Sequence, residues 1–180
     1  VEIDVAAKGG GSENKSKFKM MNPSDNIVDW VVEQVPSMGA GWCPPGMLGI
    51  GIGGTAEHCV RLAKQSLMEP IDMGQLKARG AQNDIEQLRI DIFDAVNAQG
   101  IGAQGLGGLS TVLDVKILDW PCHAAGKPVA MIPNCAATRH AHFTLDGSGP
   151  AYLDKPDLDQ WPKVNWQPDS AAKRVNLDTL

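Results

Sequence analysis

The chain has 180 residues and a formal net charge of −5, with 16 Lys and Arg against 21 Asp and Glu. That balance leaves no electrostatic footprint for nucleic acid or an anionic membrane, so an anionic ligand would have to be held by local cations and backbone N–H groups. Hydrophobic residues make up 43% of the chain, enough for a real core, and no run approaches the roughly 18 to 20 apolar residues of a membrane span. Four cysteines are too sparse for a secreted disulfide scaffold. Reduced thiols or metal ligands in a reducing, cytoplasmic setting are the expectation. The start at Val1 has no signal-peptide form, and the natural N-terminus is expected upstream, which leaves targeting open.

Val1 to Val5 reads as a strand. The loop Lys8-Gly9-Gly10-Gly11-Ser12-Glu13-Asn14 offers bare backbone N–H groups that can face an anion as a nest does, or form a plain turn. Lys15, Lys17 and Lys19 then read as a solvated face. Asn22-Pro23-Ser24 is a predicted cap for a helix in which Ile27, Val28, Val31, Val32 and Val35 recur at helical spacing until Pro36. The turn Gly41-Trp42-Cys43-Pro44-Pro45-Gly46 is stiffened by two fixed proline φ angles. Met47 to Ile50 is a short strand, and after Gly53-Gly54 a helix opens at Thr55 whose apolar face points Cys59 into the core.

Asn83 and Glu86 fit a capping box for a longer helix closed by Gly100, and a glycine loop follows. Leu113, Val115 and Ile117 alternate with Asp114 and Lys116 as in a half-buried strand, while Pro128 to Ile132 reads as a buried one. The core is therefore expected to be mixed α and β. Residues 154–180, rich in Pro, Asp and Trp without periodicity, read as an irregular segment leading to a linker.

Two segments satisfy G-x-G-x-x-G: Gly49, Gly51 and Gly54, and Gly100, Gly102 and Gly105. The second runs helix to strand, the reverse of the dinucleotide-binding order; the first runs strand to helix with Asp72 as a possible acidic partner, over a short strand. The bland reading is that these glycines allow tight turns and close backbone approach. The run Ile132-Pro133-Asn134-Cys135-Ala136-Ala137-Thr138-Arg139-His140-Ala141-His142-Phe143 crowds a thiol, a guanidinium and two imidazoles beside an apolar strand. Basic neighbours favour the thiolate that binds iron. A zinc site from Cys122, Cys135, His140 and His142 can be written down, but its spacing matches no common finger.

The strings Gly41 to Gly46, Gly100 to Gly108, Pro133 to Phe143 and Asp146 to Pro150 resemble class I fumarase throughout, and Lys8 to Gly11 resembles that family's glycine loop. The resemblance implies that residues 1–153 are part of the N-terminal, alpha-type domain of an iron-sulfur hydro-lyase interconverting fumarate and L-malate, an α+β domain with mixed sheets surrounded by helices. It implies a 4Fe-4S cluster with Cys43 and Cys135 as two ligands and the third upstream of Val1. His123, Gly9 and Gly10 are implied carboxylate contacts, with Cys122 departing from the Thr the pattern places beside that His. Arg139 either pairs with the substrate or braces the cluster. The family's catalytic base lies in a C-terminal domain or beta subunit outside the chain, and the family is commonly a homodimer. Alternatives are a related dehydratase of tartrate or mesaconate, a nucleotide-dependent oxidoreductase and a zinc-stabilised module without catalysis.

Overall fold

The computed structural model describes residues 1–137 and 139–148; Gly149, Pro150 and the predicted irregular segment 154–180 lie outside the described residues. Two sheets organise the chain. Strands β2 (Lys17–Met21), β3 (Gly46–Gly53), β4 (Val112–Trp120) and β5 (Lys127–Cys135) form a sheet of order β2-β5-β3-β4, in which β3 and β4 are parallel and the other pairs antiparallel. β1 (Glu2–Ala7) and β6 (Arg139–Thr144) make a separate antiparallel ribbon. With helices packed on the larger sheet, the fold is α+β, as the sequence leads one to expect.

Helices cover both faces of the larger sheet. Side chains alternate along β3, so Met47, Gly49 and Gly51 face α3 (Ala56–Ser66) while Leu48 and Ile50 face the other side. On that other side α2 (Ile27–Ser37), α4 (Met73–Arg79) and α5 (Asp84–Ala98) bury Val31, Val35, Leu76, Ile92 and Val96 against Ile50, Val115 and Met131. The β3 glycines let α3 lie directly on the strand. A Cβ added at Gly51 would sit 2.0 Å from the Cys59 carbonyl oxygen, and one at Gly49 would sit 2.4 Å from that of Ala63. These glycines serve close packing, and the space a pyrophosphate would need is filled by the helix.

Local signals are read correctly in places and displaced in others. Asn83 Oδ1 accepts from Glu86 N at 2.9 Å, and Gly100, with φ +67, follows α5 as predicted. Glu86 does not complete the box, because its carboxylate is taken by Arg79 and Gln82 N. The cap of α2 is Asn26 instead of the predicted Asn22-Pro23-Ser24, its side chain accepting from Val28 and Asp29, and Pro36 sits inside the last turn. A proline there cannot donate to the Val32 carbonyl, which instead accepts from Gln99 Nε2 at 2.7 Å.

The half-buried reading of β4 is overturned. Leu113 is 37% exposed, whereas Asp114 is 0% and Lys116 4% exposed. The chain passes around the free edge of β4 on its way from α3 to α4 and α5, and this passage covers the charged side. Asp114 accepts from the backbone N–H groups of Asp72 and Met73, at 2.8 and 3.1 Å. Arg89 pairs with Asp72 and Asp114 and donates Nε to the Val115 carbonyl at 2.6 Å; Lys116 pairs with both carboxylates. Burying three charges, Arg89, Asp114 and Lys116, is tolerable only because each meets an opposite partner, with the half-exposed Asp72 completing the set. Asn97 likewise meets Thr111 N, Val112 N and the Val112 carbonyl. Side chains from α5 thus blunt one edge of the sheet, while lysines mark the β2 edge.

Candidate active site

Four segments meet at the end of the sheet where β3 begins and β5 finishes. Cys43 follows a tight 3-10 turn, Gly39–Trp42, whose Trp42 is buried in the core and anchors the loop. Its backbone is left-handed, φ 58 and ψ 59, a conformation few residues other than glycine adopt. The following prolines lead straight into β3. Gly46 is the register partner of Cys135, and Ala136 N donates to the Pro45 carbonyl at 3.3 Å. Cys43 and Cys135 are therefore held on adjacent strand ends, Cys43 exposed and Cys135 half-buried, both free thiols.

The glycine loop 100–108 supports the Cys43 turn from outside. Gln104 N donates to the Pro44 carbonyl at 2.7 Å, and Gly105 would bring a Cβ against Ala40. Gly102 folds so tightly on Gly107 that a Cβ there would lie 2.2 Å from its carbonyl carbon. That is why this string is glycine, and it has nothing to do with a nucleotide.

The predicted nest at Lys8 to Gly11 is a short helical turn, α1 (Gly10–Glu13), capped by Gly9. Gly11 packs on Gly41: a Cβ there would be 2.5 Å from the Gly41 carbonyl oxygen. Gly9 and Gly10 thereby head a turn that lies beside the two thiols. Lys8 Nζ donates to Ser12 Oγ at 3.0 Å and pairs with Glu13 at 2.9 Å. Burial pulls the Lys8 pKa down, while Glu13 and the Cys135 sulfur act the other way.

Arg139 begins β6 opposite Ala7, exposed, with Nη1 donating to the Ala137 carbonyl. His140 and His142 share one face of the ribbon, and His142 Nδ1 lies 2.7 Å from Asp4, which raises its pKa. Their place is a cleft with Gln65, Met68 and Glu69. His142 is thus partnered by a carboxylate on β1 and is not spent on Cys135.

His123 stands apart. It is exposed in the connection from β4 to β5, accepts from Ala125 N at 3.1 Å, and lines a cleft with Gly54, Thr55, His58, Trp120 and Cys122. Nine residues of β5 separate that end of the sheet from Cys135, roughly 26 Å at the usual rise. Cys122, at the same far end, donates to the Gly126 carbonyl. The zinc set of Cys122, Cys135, His140 and His142 is therefore not assembled. Cys59 is buried against α3's own strand, donating to the Gly51 carbonyl at 3.1 Å, and burial pushes its thiol up to about 11. Among the described residues no three His, Cys, Asp or Glu side chains converge to hold a metal ion.

A match to the family described as fumarate hydratase (Fumerase) covers residues 1–144. The chain belongs to that family. Among its relatives, a Methanocaldococcus jannaschii protein named "Putative L(+)-tartrate dehydratase subunit alpha" is 42% identical over 144 residues, covering 78% of this chain and 49% of its own length. The L(+)-tartrate dehydratase subunit alpha of Escherichia coli K12 is 29% identical over 154 residues, covering 81% of this chain and 49% of its own. The chain spans about half the length of the curated relatives it matches. Within this Fumerase-family chain the cysteine-bearing strings were legible from their letters. The Lys8–Ser12–Glu13 cluster forms no recognisable motif in the sequence, where its one signal is a lysine four and five residues before a serine and a glutamate.

Proposed function

We propose that this chain is the alpha-type part of an iron-sulfur hydro-lyase that removes water from, or adds it to, a small hydroxydicarboxylate. The observation that carries the reading is the convergence of Cys43 and Cys135 on paired strand ends, beside a glycine turn, in a chain of the Fumerase family. Two free thiols on rigid supports fit two ligands of a 4Fe-4S cluster. Cys59 and Cys122 lie elsewhere in the fold, and the third ligand is assigned, as the family resemblance implies, to a segment upstream of Val1. Such a cluster, when bound with one iron free of protein ligands, supplies a Lewis acid for the departing hydroxyl.

This chain's own residues then have separate tasks. Cys43 and Cys135 hold the cluster, and the stiff Pro44-Pro45 turn keeps Cys43 in place. The Gly9-Gly10 turn directs backbone N–H groups at a substrate carboxylate. Arg139, at the end of the same loop as Cys135, braces that loop and adds positive charge. His123 serves as a carboxylate contact from the far end of the sheet, in a site completed by a second copy or a further segment. A base for proton abstraction comes from a C-terminal domain or beta subunit.

Fumarate is the compound the family description names, and L-malate is its hydration product. L(+)-tartrate is the second reading, favoured by the names of both relatives. Anaerobic purification of the chain with its complementary part, followed by iron and sulfide analysis, tests the assignment. Four irons lost in both Cys43→Ser and Cys135→Ser support it, and a cluster that survives either change refutes it. Comparing kcat/KM for L-malate and L(+)-tartrate on that preparation decides the substrate.

A further inference from the structure

Lys8, Glu13 and Lys64 form a triad that the family argument does not use. Both ammonium groups meet the same carboxylate oxygen, Lys8 at 2.9 Å and Lys64 at 2.5 Å from Glu13 Oε2. Two cations on one anion leave a surplus positive charge. The two cations differ in setting: the Lys8 side chain is 12% exposed and that of Lys64 39%. The surplus is therefore least screened on the Lys8 side.

The fold brings the Lys8 segment to the end of β5 that carries Cys135. Ala7 is the register partner of Arg139, so Lys8 leaves the ribbon beside the turn joining Cys135 to β6. α1 packs on β5, the strand that ends at Cys135. Ser12, itself buried, donates to the Gly9 carbonyl and accepts from Lys8, which fixes the ammonium on a short rigid turn. An ammonium has three donors, and Ser12 and Glu13 take two.

Resting on the iron-sulfur reading above, we propose that Lys8 is a positioning residue that holds a fixed positive charge, with one N–H to spare, against the Cys135 side of the cluster. A positive charge there favours the reduced, more negative state and resists loss of the cluster, because net local charge and hydrogen bonds to sulfur set these potentials. The bland role would be a staple joining α1 to α3 through Glu13 and Lys64.

The test uses the chain with its complementary part, anaerobically reconstituted, comparing wild type with Lys8→Met, Lys8→Arg and Lys64→Met. Iron and sulfide content, the midpoint potential of the cluster and its rate of bleaching in air are measured. The expected result is a lower potential and faster bleaching in Lys8→Met, restored toward wild type in Lys8→Arg, and a distinctly smaller change in Lys64→Met, which removes the more exposed of the two cations. Should Lys8→Met fail to fold, Lys8→Gln, which keeps a donor to Ser12, carries the same comparison. Unmoved potential and bleaching in the neutral variant, or an equal shift in Lys64→Met, overturns the inference while leaving the cluster assignment intact. A wild type without iron overturns both.

Discussion

Arg89 and Asp114 meet at 3.1 Å across the edge of β4, and the carboxylate of the pair is wholly buried. Arg89 is the only one of the four charges there supplied by α5, so this contact ties the long helix to the sheet edge. Removing one partner of a buried pair leaves the other uncompensated, which typically costs about 3 to 5 kcal/mol. Arg89→Leu is expected to lower stability by that order, read from urea unfolding. Arg79→Leu, which breaks an exposed pair with Glu86, is expected to cost far less. Equal losses would mean the buried cluster has no special weight.

The same cluster predicts an acid limit. Burial works to raise the Asp72 pKa, but hydrogen bonds from Arg89 and Lys116 outweigh it and hold the group at about 2. An unfolded Asp titrates near 3.9. The folded value is depressed, so the stabilisation is complete above about pH 4 and is lost as pH falls from there toward 2. Urea midpoints measured across that window should fall for the wild type and fall less steeply for Asp72→Asn. Parallel curves would show that Asp72 is not the group responsible.

Gly51 and Gly74 separate two uses of glycine. Gly51→Ala places a Cβ 2.0 Å from a backbone oxygen of α3, which cannot rotate away, so the helix must lift from the sheet. The expected loss is about 3 kcal/mol or more, of the overpacking kind. A Cβ at Gly74, inside α4, meets nothing within 4 Å. Gly74→Ala should raise stability by about 0.5 to 1 kcal/mol, since alanine loses less backbone freedom on folding. Thermal unfolding of both variants checks the contrast.

Thiol labelling should divide the cysteines by environment. Cys59 is buried and its thiol is pushed up to about 11, whereas Cys43 and Cys122 are exposed and Cys135 half-buried. Iodoacetamide on the native apoprotein, followed by peptide mass analysis, should modify Cys43, Cys122 and Cys135 and leave Cys59 until urea unfolds the chain. Early modification of Cys59 would contradict the packing of α3 on β3.

Much of this protein was decided by local sequence. The mix of helix and strand followed from periodicity, the α5 cap and its closing glycine from their own residue types, and the core position of Cys59 from helical spacing. The paired strings around Cys43 and Cys135 marked them as candidates together, although nothing in one dimension could make Gly46 the neighbour of Cys135. Only the tertiary structure placed the two thiols on adjacent strand ends, drew Lys8 to the same end and set His123 about a strand's length away. It also reversed β4: alternation assigns Asp114 and Lys116 to water, but a chain crossing the sheet edge brought two backbone N–H groups, Asp72 and Arg89 to meet them. Periodicity reports which side chains can share a face. Whether that face meets solvent, a helix or a set of opposite charges depends on segments tens of residues away, and those contacts exist only once the chain has folded.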